Sequence, residues 1–253
     1  MKGTIVLSVD DGCNDTARLA SELEKRRLPA TFNIVTGWVD RTVETESPYA
    51  TIDELKQIYA TGLFEIAGHG DSHQNTDDDV IKGNDKLREW FKMSEIGFAS
   101  PGSRMKADYI RENEEKYRAM GITYIRTASF VTPDPRYDAL AEKAKKEGCS
   151  DFVLQQIYYG TFNFDSMAVP SVIVANQTPL DGIKELAEFT ADEGLCTVFM
   201  FHAVRKEGEK NYDSTWSYDF DKFCEFTDLL CELRDSGKAE ILTTMDAVKK
   251  YRK

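Results

Sequence analysis

Two adjacent carboxylates and three imidazoles are the side chains of this chain best suited to bind a divalent metal and move protons around it. Asp10 and Asp11 follow the apolar stretch Thr4 to Val9 and precede Gly12, so they stand where a buried strand gives way to a loop. His69 and His73 lie in the run Gly68-His69-Gly70-Asp71-Ser72-His73, and His202 ends the apolar run Thr197 to Phe201. The 253-residue chain has no other histidine.

Each group has a chemical use. Neighbours along a strand point to opposite sides, but a turn at the strand's end can bring both carboxylates to one mouth, and Gly12 permits that turn. One carboxylate would then enter a metal's shell while the second, just outside it, takes a proton from water. A four-residue spacing lets His69 and His73 reach one ion from a helical turn or a loop of similar pitch, and Gly68 and Gly70 favour the loop. With Asp11 they make a His-His-carboxylate set, typical of hydrolytic zinc and also of iron and other divalent metals. An imidazole at position 202 is suited to protonate a leaving amine or alcohol near neutral pH.

The elements that must position these groups are legible as an alternation of strand-like and helix-like segments, which predicts βαβ units and a largely parallel sheet. Strands are expected at Thr4 to Val9, Ala30 to Val35, Phe64 to Ala67, Ile96 to Ser100, Thr123 to Thr127, Val169 to Ala175, Val198 to Phe201 and Ile241 to Thr243. Helical patterns fall at Asp15 to Arg27, Thr51 to Thr61, Asp78 to Met93, Ala107 to Met120, Tyr137 to Glu147, Leu180 to Glu193 and Tyr218 to Ser236. Asp15 or Thr16 is expected to cap the first helix, and Gly121, Gly148, Gly194 and Gly237 stand where helices should stop. The segment Asp151 to Ala168, crowded with Tyr158, Tyr159, Phe162 and Phe164 around Gly160, reads as an irregular excursion lining a cleft. Seven or eight units predict an α/β fold, a closed or nearly closed barrel, and the length fits one such domain. Asp10, Asp11, His69, His73, Pro101 and His202 all fall at or after the C-terminal ends of predicted strands, the barrel face where catalytic groups gather.

Composition narrows the function classes. With 44 acidic against 32 basic residues the net charge is −12, which argues against nucleic acid or an anionic membrane as main partner. The clusters Asp53-Glu54, Asp77-Asp78-Asp79 and Glu112 to Glu115 read as solvated surface. No apolar run approaches the roughly 20 residues a bilayer needs. Five cysteines without CxxC spacing read as reduced, packed thiols, and Cys13, beside the acidic pair, is the one to test for reactivity. Met1-Lys2-Gly3 passes straight into the first strand, so the expected address is cytoplasmic, or secreted if a leader has been removed. No oligomeric state is assigned.

In order along the chain, Ser8-Val9-Asp10-Asp11-Gly12, His69-xxx-His73, Phe98-Ala99-Ser100-Pro101-Gly102 and Phe199-Met200-Phe201-His202 resemble the motifs of the polysaccharide deacetylases, the NodB-homology domain of carbohydrate esterase family 4. The resemblance runs from residue 4 to about residue 250 and implies a distorted (β/α) barrel of about seven strands. It implies Asp10 as general base, Asp11, His69 and His73 as metal ligands, and His202 as general acid, in hydrolysis of an N-acetyl or O-acetyl group on a carbohydrate. Two departures stand out. The family's arginine before the third-motif proline is replaced by Ala99 and Ser100; Arg126, on a predicted strand, is expected to take its place, with Arg104 as alternative. The Asp and Trp that orient the family's acid histidine have no clear counterpart, and Asp165 is the candidate for the carboxylate.

The expected oxyanion contact is a backbone amide near Pro101-Gly102-Ser103, with Asp165 and Trp216 on the substrate side. Zinc is the expected ion, since its donors are borderline N/O ligands, while cobalt, nickel or iron fit the same set. Two other readings keep the barrel: hydrolysis of another C–N bond in a small or cyclic amide, or a catalytically silent module that binds sugar through Tyr158 to Phe164 and Trp216.

Overall fold

Along β1 (Gly3–Val9) the pleat sends successive side chains to opposite faces, and both faces are buried. Ile5, Leu7 and Val9 join an apolar layer with helix residues such as Leu19, Leu23, Leu186 and Leu230. Val6 points the other way, into a smaller cluster with Tyr124, Val169 and Val198. That smaller cluster is the inside of a barrel.

The computed structural model describes residues 2–41, 48–128, 137–164 and 167–252. After β1 come β2 (Ala30–Ile34), β3 (Phe64–Gly68), β4 (Ile96–Ala99), β5 (Ile122–Ala128), β6 (Ala168–Ile173) and β7 (Cys196–Phe201). They pair in chain order, all parallel, and β7 returns to β1, so seven strands close a ring. An eighth strand, β8 (Ala239–Leu242), takes part of the same β1 edge that β2 uses. Gly3 to Val6 pair with β8, while Ser8 and Val9 pair with β2. The ring is thus closed at the C-terminal ends of its strands and prised open by β8 at the other end, which is the distortion in this barrel.

Helices cover the outside: α1 (Thr16–Arg26), α2 (Ile52–Ala60), α3 (Asp77–Phe91), α4 (Ala107–Glu112), α5 (Glu114–Ala119), α6 (Asp138–Glu147), α7 (Asp151–Tyr158), α8 (Leu180–Glu193) and α9 (Phe220–Asp235). Their apolar residues recur at three- and four-residue spacing, as with Ile183, Leu186, Ala187 and Ala191 of α8, which gives each a stripe to lay on the strands. The last helix, α10 (Thr244–Tyr251), closes the split end. Its Ala247 and Val248 enter the lumen cluster. The space there is tight: a Cβ on Gly97 would come within 2.1 Å of the Tyr124 ring.

The structure departs from the sequence expectations in four places. The single helix expected from Ala107 to Met120 is two, α4 and α5, broken at Asn113, whose side-chain amide donates to the Tyr109 carbonyl and so competes with the helical ladder. The excursion Asp151 to Ala168 begins with a regular helix, α7, and its described residues do not line the cleft. Phe162 packs by Tyr137 and Phe189, Phe164 lies against Tyr251, and Tyr158 is 50% exposed. Asp15 holds the cap position of α1 without a capping bond; its carboxylate is drawn instead to the chain after β7. Helix α10 is too short and too weakly apolar to announce itself in the sequence. As expected, Gly121, Gly148, Gly194 and Gly237 all carry positive φ at helix ends. Among the described residues no helix is long and apolar enough to cross a membrane.

Candidate active site

The closed end of the barrel gathers residues of one pleat parity. On β1 the inward set is Val6 and Ser8, and Asp10 continues it just beyond the strand. Ser8 Oγ accepts from Asn33 Nδ2 at 2.8 Å, and the same amide donates to Asp10 Oδ1 at 2.8 Å. From β5, across the lumen, Arg126 Nη2 lies 2.5 Å from Asp10 Oδ1. Arg126 and Asp10 are both buried, at 0% and 3% exposure, so each supplies the opposite charge that the other needs away from water. Arg126 therefore stands where the missing third-motif arginine was sought, whereas Arg104 is exposed beside Gly102.

The second aspartate reaches the same mouth by a backbone turn. Asp11 has φ 74° and Gly12 φ 70°, a left-handed step that reverses the strand's alternation. Asp11 Oδ1 consequently lies 3.5 Å from His69 Nε2 and 3.6 Å from His73 Nε2. His69 directly follows β3 and is buried; its Nδ1 lies 2.8 Å from the Ala99 carbonyl. That contact makes Nδ1 the protonated nitrogen and turns the Nε2 lone pair toward Asp11. His73 adopts φ 62° at the end of the following loop, with Trp38 against its ring at 5.2 Å between centroids.

One donor atom from each of Asp11, His69 and His73 lies within 4.8 Å of the others. Asp11 Oδ1 and His69 Nε2 are buried without a hydrogen-bond partner among the described residues. Such atoms are costly unless something satisfies them, and a divalent cation suits this donor set. Burial alone would lift the Asp11 carboxyl, but the neighbouring imidazoles outweigh it and bring the pKa down to about 2. Burial also works against a charged His69, yet the Asp10 and Asp11 carboxylates prevail and its pKa rises. At His73 burial and the nearby His69 ring lower the pKa.

His202 follows β7 and faces the carboxylates, with the indole of Trp216 at 4.6 Å between ring centroids. Burial holds its pKa below the ordinary imidazole value, against the pull of Asp10 and Asp11. Its Nδ1 has no partner among the described residues. A cleft of about 480 Å³ opens over these groups, lined by Asp10, Asp11, His73, His202, Gly102 and Trp216. Ser103 also lines it, while its N–H turns inward to the Ser100 carbonyl, and Pro101 is buried beneath. Trp216 is the one member of the expected sugar-binding aromatic set in this cleft. Asp165 lies outside the described residues.

Sequence reasoning overlooked Asn33, Arg205 and Trp38, and it took Asp15 for a helix cap and Asp79 for solvated surface. Asn33 carried a signal, a polar residue inside the apolar strand Ala30–Ile34 and on the parity that Arg126 shares. Asp15 carried none: its carboxylate accepts from Val204 N at 2.6 Å and from Arg205 Nη2 at 3.0 Å, contacts made by residues about 190 positions away. Cys13 lines the cleft, but burial and the flanking Asp15 and Asp11 push its thiol up, so it stays protonated. All five cysteines are free.

A barrel closed around two carboxylates and three imidazoles defines a class, and the sequence comparison names it. A family model described as polysaccharide deacetylase matches residues 1–148, more than half of the chain, and the chain belongs to that family. Among curated proteins none matches. Among solved structures, the chain is similar to a mutant of a CE4 family pseudoenzyme with restored enzymatic activity, at 14% identity, over 100% of this chain and 70% of that one, with a TM-score of 0.53. A family 4 acetyl xylan esterase from Clostridium thermocellum, in complex with a cobalt ion, matches at 13% identity over 98% and 91%, with a TM-score of 0.49. IcaB from Ammonifex degensii matches at 22% identity, TM-score 0.42, over 48% of this chain and 58% of that one. The match thus spans less than two thirds of IcaB's length. At 14% identity the likeness to the first of these speaks for the fold alone.

Proposed function

We propose that this chain is a metal-dependent deacetylase that removes N- or O-acetyl groups from a carbohydrate. The observation that carries the reading is the pair of adjacent aspartates in two distinct settings. Asp11 faces two imidazoles with its oxygen unpartnered, while Asp10, beside it, is held by Arg126 and Asn33. Asp11, His69 and His73 would hold the ion, zinc first by donor type, with cobalt, nickel or iron suited to the same ligands. When bound, the ion would polarise the acetyl carbonyl and lower the pKa of water toward about 7.

The chain's own residues do the rest. Arg126, which donates to both Asp10 oxygens, and Asn33 hold the carboxylate at the cleft wall, where it would take the proton of the attacking water. The Gly102 amide, at the cleft wall, is the donor assigned to the developing oxyanion, because the Ser103 amide is already committed to Ser100. His202 delivers a proton to the departing nitrogen or oxygen, so acetate and a free amine or hydroxyl result. Trp216 packs the ring in place and offers an aromatic face to a sugar.

The deciding experiment measures metal content of the native chain beside His69→Ala, and acetate release from N-acetylglucosamine oligomers before and after chelation. One divalent ion per chain in the native protein alone, with acetate release lost on chelation, is the expected result. Metal without acetate release would move the assignment to another amide or ester substrate, and absence of metal would sink the metal-dependent reading.

A further inference from the structure

The loop that presents His73 is folded around a carboxylate outside the Asp11, His69 and His73 set. Asp79 sits in the first turn of α3. Its Oδ2 accepts from the backbone N–H of Asp71 at 3.1 Å and of Gln74 at 2.9 Å, and its Oδ1 from the N–H of Ser72 at 2.8 Å and from Ser72 Oγ at 2.6 Å. Three of the amides between the two histidines and their exit thus converge on one side chain. We infer that Asp79 is a positioning residue that pre-forms the His73 arm of the metal site.

Backbone geometry supports the same inference independently. Gly70 has φ 81° and His73 φ 62°, and residues other than glycine rarely adopt such values unless their surroundings over-determine them. The carboxylate is that surrounding: a Cβ on Gly70 would stand 2.4 Å from Asp79 Oδ2. The other two ligands are held by different means. His69 rests on β3 and the Ala99 carbonyl, and Asp11 on its turn beside Gly12. Asp79 therefore controls one ligand of three, at a distance, through the loop. Groups that orient a metal ligand without touching the ion typically change affinity about 10- to 100-fold when removed.

The inference rests on Asp11, His69 and His73 being metal ligands, and its test separates the two. Zinc affinity of the metal-free full chain is measured by competition with a chromophoric chelator for the native protein, Asp79→Ala, Asp79→Asn and Ser72→Ala. Amide exchange at Ser72 and Gln74 is followed without metal. The expected result is weakening of about 10- to 100-fold in Asp79→Ala, a smaller loss in Asp79→Asn, which keeps one acceptor oxygen, and faster exchange at both amides. Ser72→Ala, which removes only the hydroxyl, is expected to stay near native. Turnover at saturating zinc should be preserved in Asp79→Ala, a split that general destabilisation would not give. Should Asp79→Ala fail to fold, Asp79→Asn decides. Equal zinc affinity in native and variant chains overturns the inference alone; no zinc bound by the native chain overturns the metal reading itself.

Discussion

Asp10 and Asp11 are chemically identical and covalently adjacent, yet their neighbours give them different work. Asp10 has a guanidinium and a carboxamide on its oxygens, both from strands that follow it by more than twenty residues, and Asp11 has imidazoles. An asparagine at position 10 keeps the volume and an oxygen that Arg126 can still donate to, but it cannot take a proton. Asp10→Asn is therefore expected to retain its metal while turnover falls by about 10²- to 10⁴-fold, the usual range for loss of a general base. Acetate release read beside metal content checks this, and loss of metal with activity retained would exchange the roles of the two aspartates.

At the scale of elements, the His202 loop is fastened to the Asp10–Asp11 loop by a buried ion pair. Asp15, at the start of α1, binds Arg205 and the Val204 amide, and Arg205 also reaches Asn14. The Val204 to Tyr218 bridge then carries the chain round to Trp216, which packs on His202. Two loops from opposite ends of the sequence are thereby held in register at the cleft. Truncating one member of such a pair leaves an uncompensated charge and an unpaired amide, so Asp15→Ala should cost about 3–5 kcal/mol of stability. Denaturant unfolding measures it; a loss no larger than that of an exposed pair would mean that water replaces the carboxylate freely.

The whole molecule puts its chemistry at the closed end of the barrel and a second polar cluster where β8 splits the ring. There Glu65 accepts from Thr31, Tyr124 and the Met245 amide, and Thr31 accepts from the Thr244 amide at the head of α10. Burial raises the Glu65 pKa above its ordinary 4.5, against those three donors. A carboxyl whose pKa is higher folded than unfolded takes up a proton on folding, so its contribution is fully present below the unfolded value and is lost as pH rises through the folded one. Glu65→Gln removes the charge and keeps hydrogen-bonding capacity. Its stability relative to the native chain should improve between about pH 5 and pH 8, as read by denaturation at both values, and a constant difference would show that Glu65 is ionised throughout. The surface acidity has a plainer use: Asp53 and Glu54, Asp77 and Asp78, and Glu114 and Glu115 lie in the first turns of α2, α3 and α5, where negative charge favours the helix dipole.

The sequence by itself determined the eight strands, most of the helices, the face on which Asp10, Asp11, His69, His73 and His202 would meet, and the family. Hydrophobic period and glycine punctuation are local signals, and the motif residues sit at strand ends that those signals mark. Tertiary structure alone decided the remainder. That Arg126 and not Arg104 reaches Asp10 depends on the parity of β5 across a closed ring. That β8 opens the barrel, and α10 fills the gap, depends on how β1 divides its edge. The roles of Asp15 and Asp79 were illegible because an aspartate ahead of a helix or in its first turn looks like helix chemistry in any sequence. Only the approach of a distant loop, with amides that must find acceptors once water is excluded, turns it into something else.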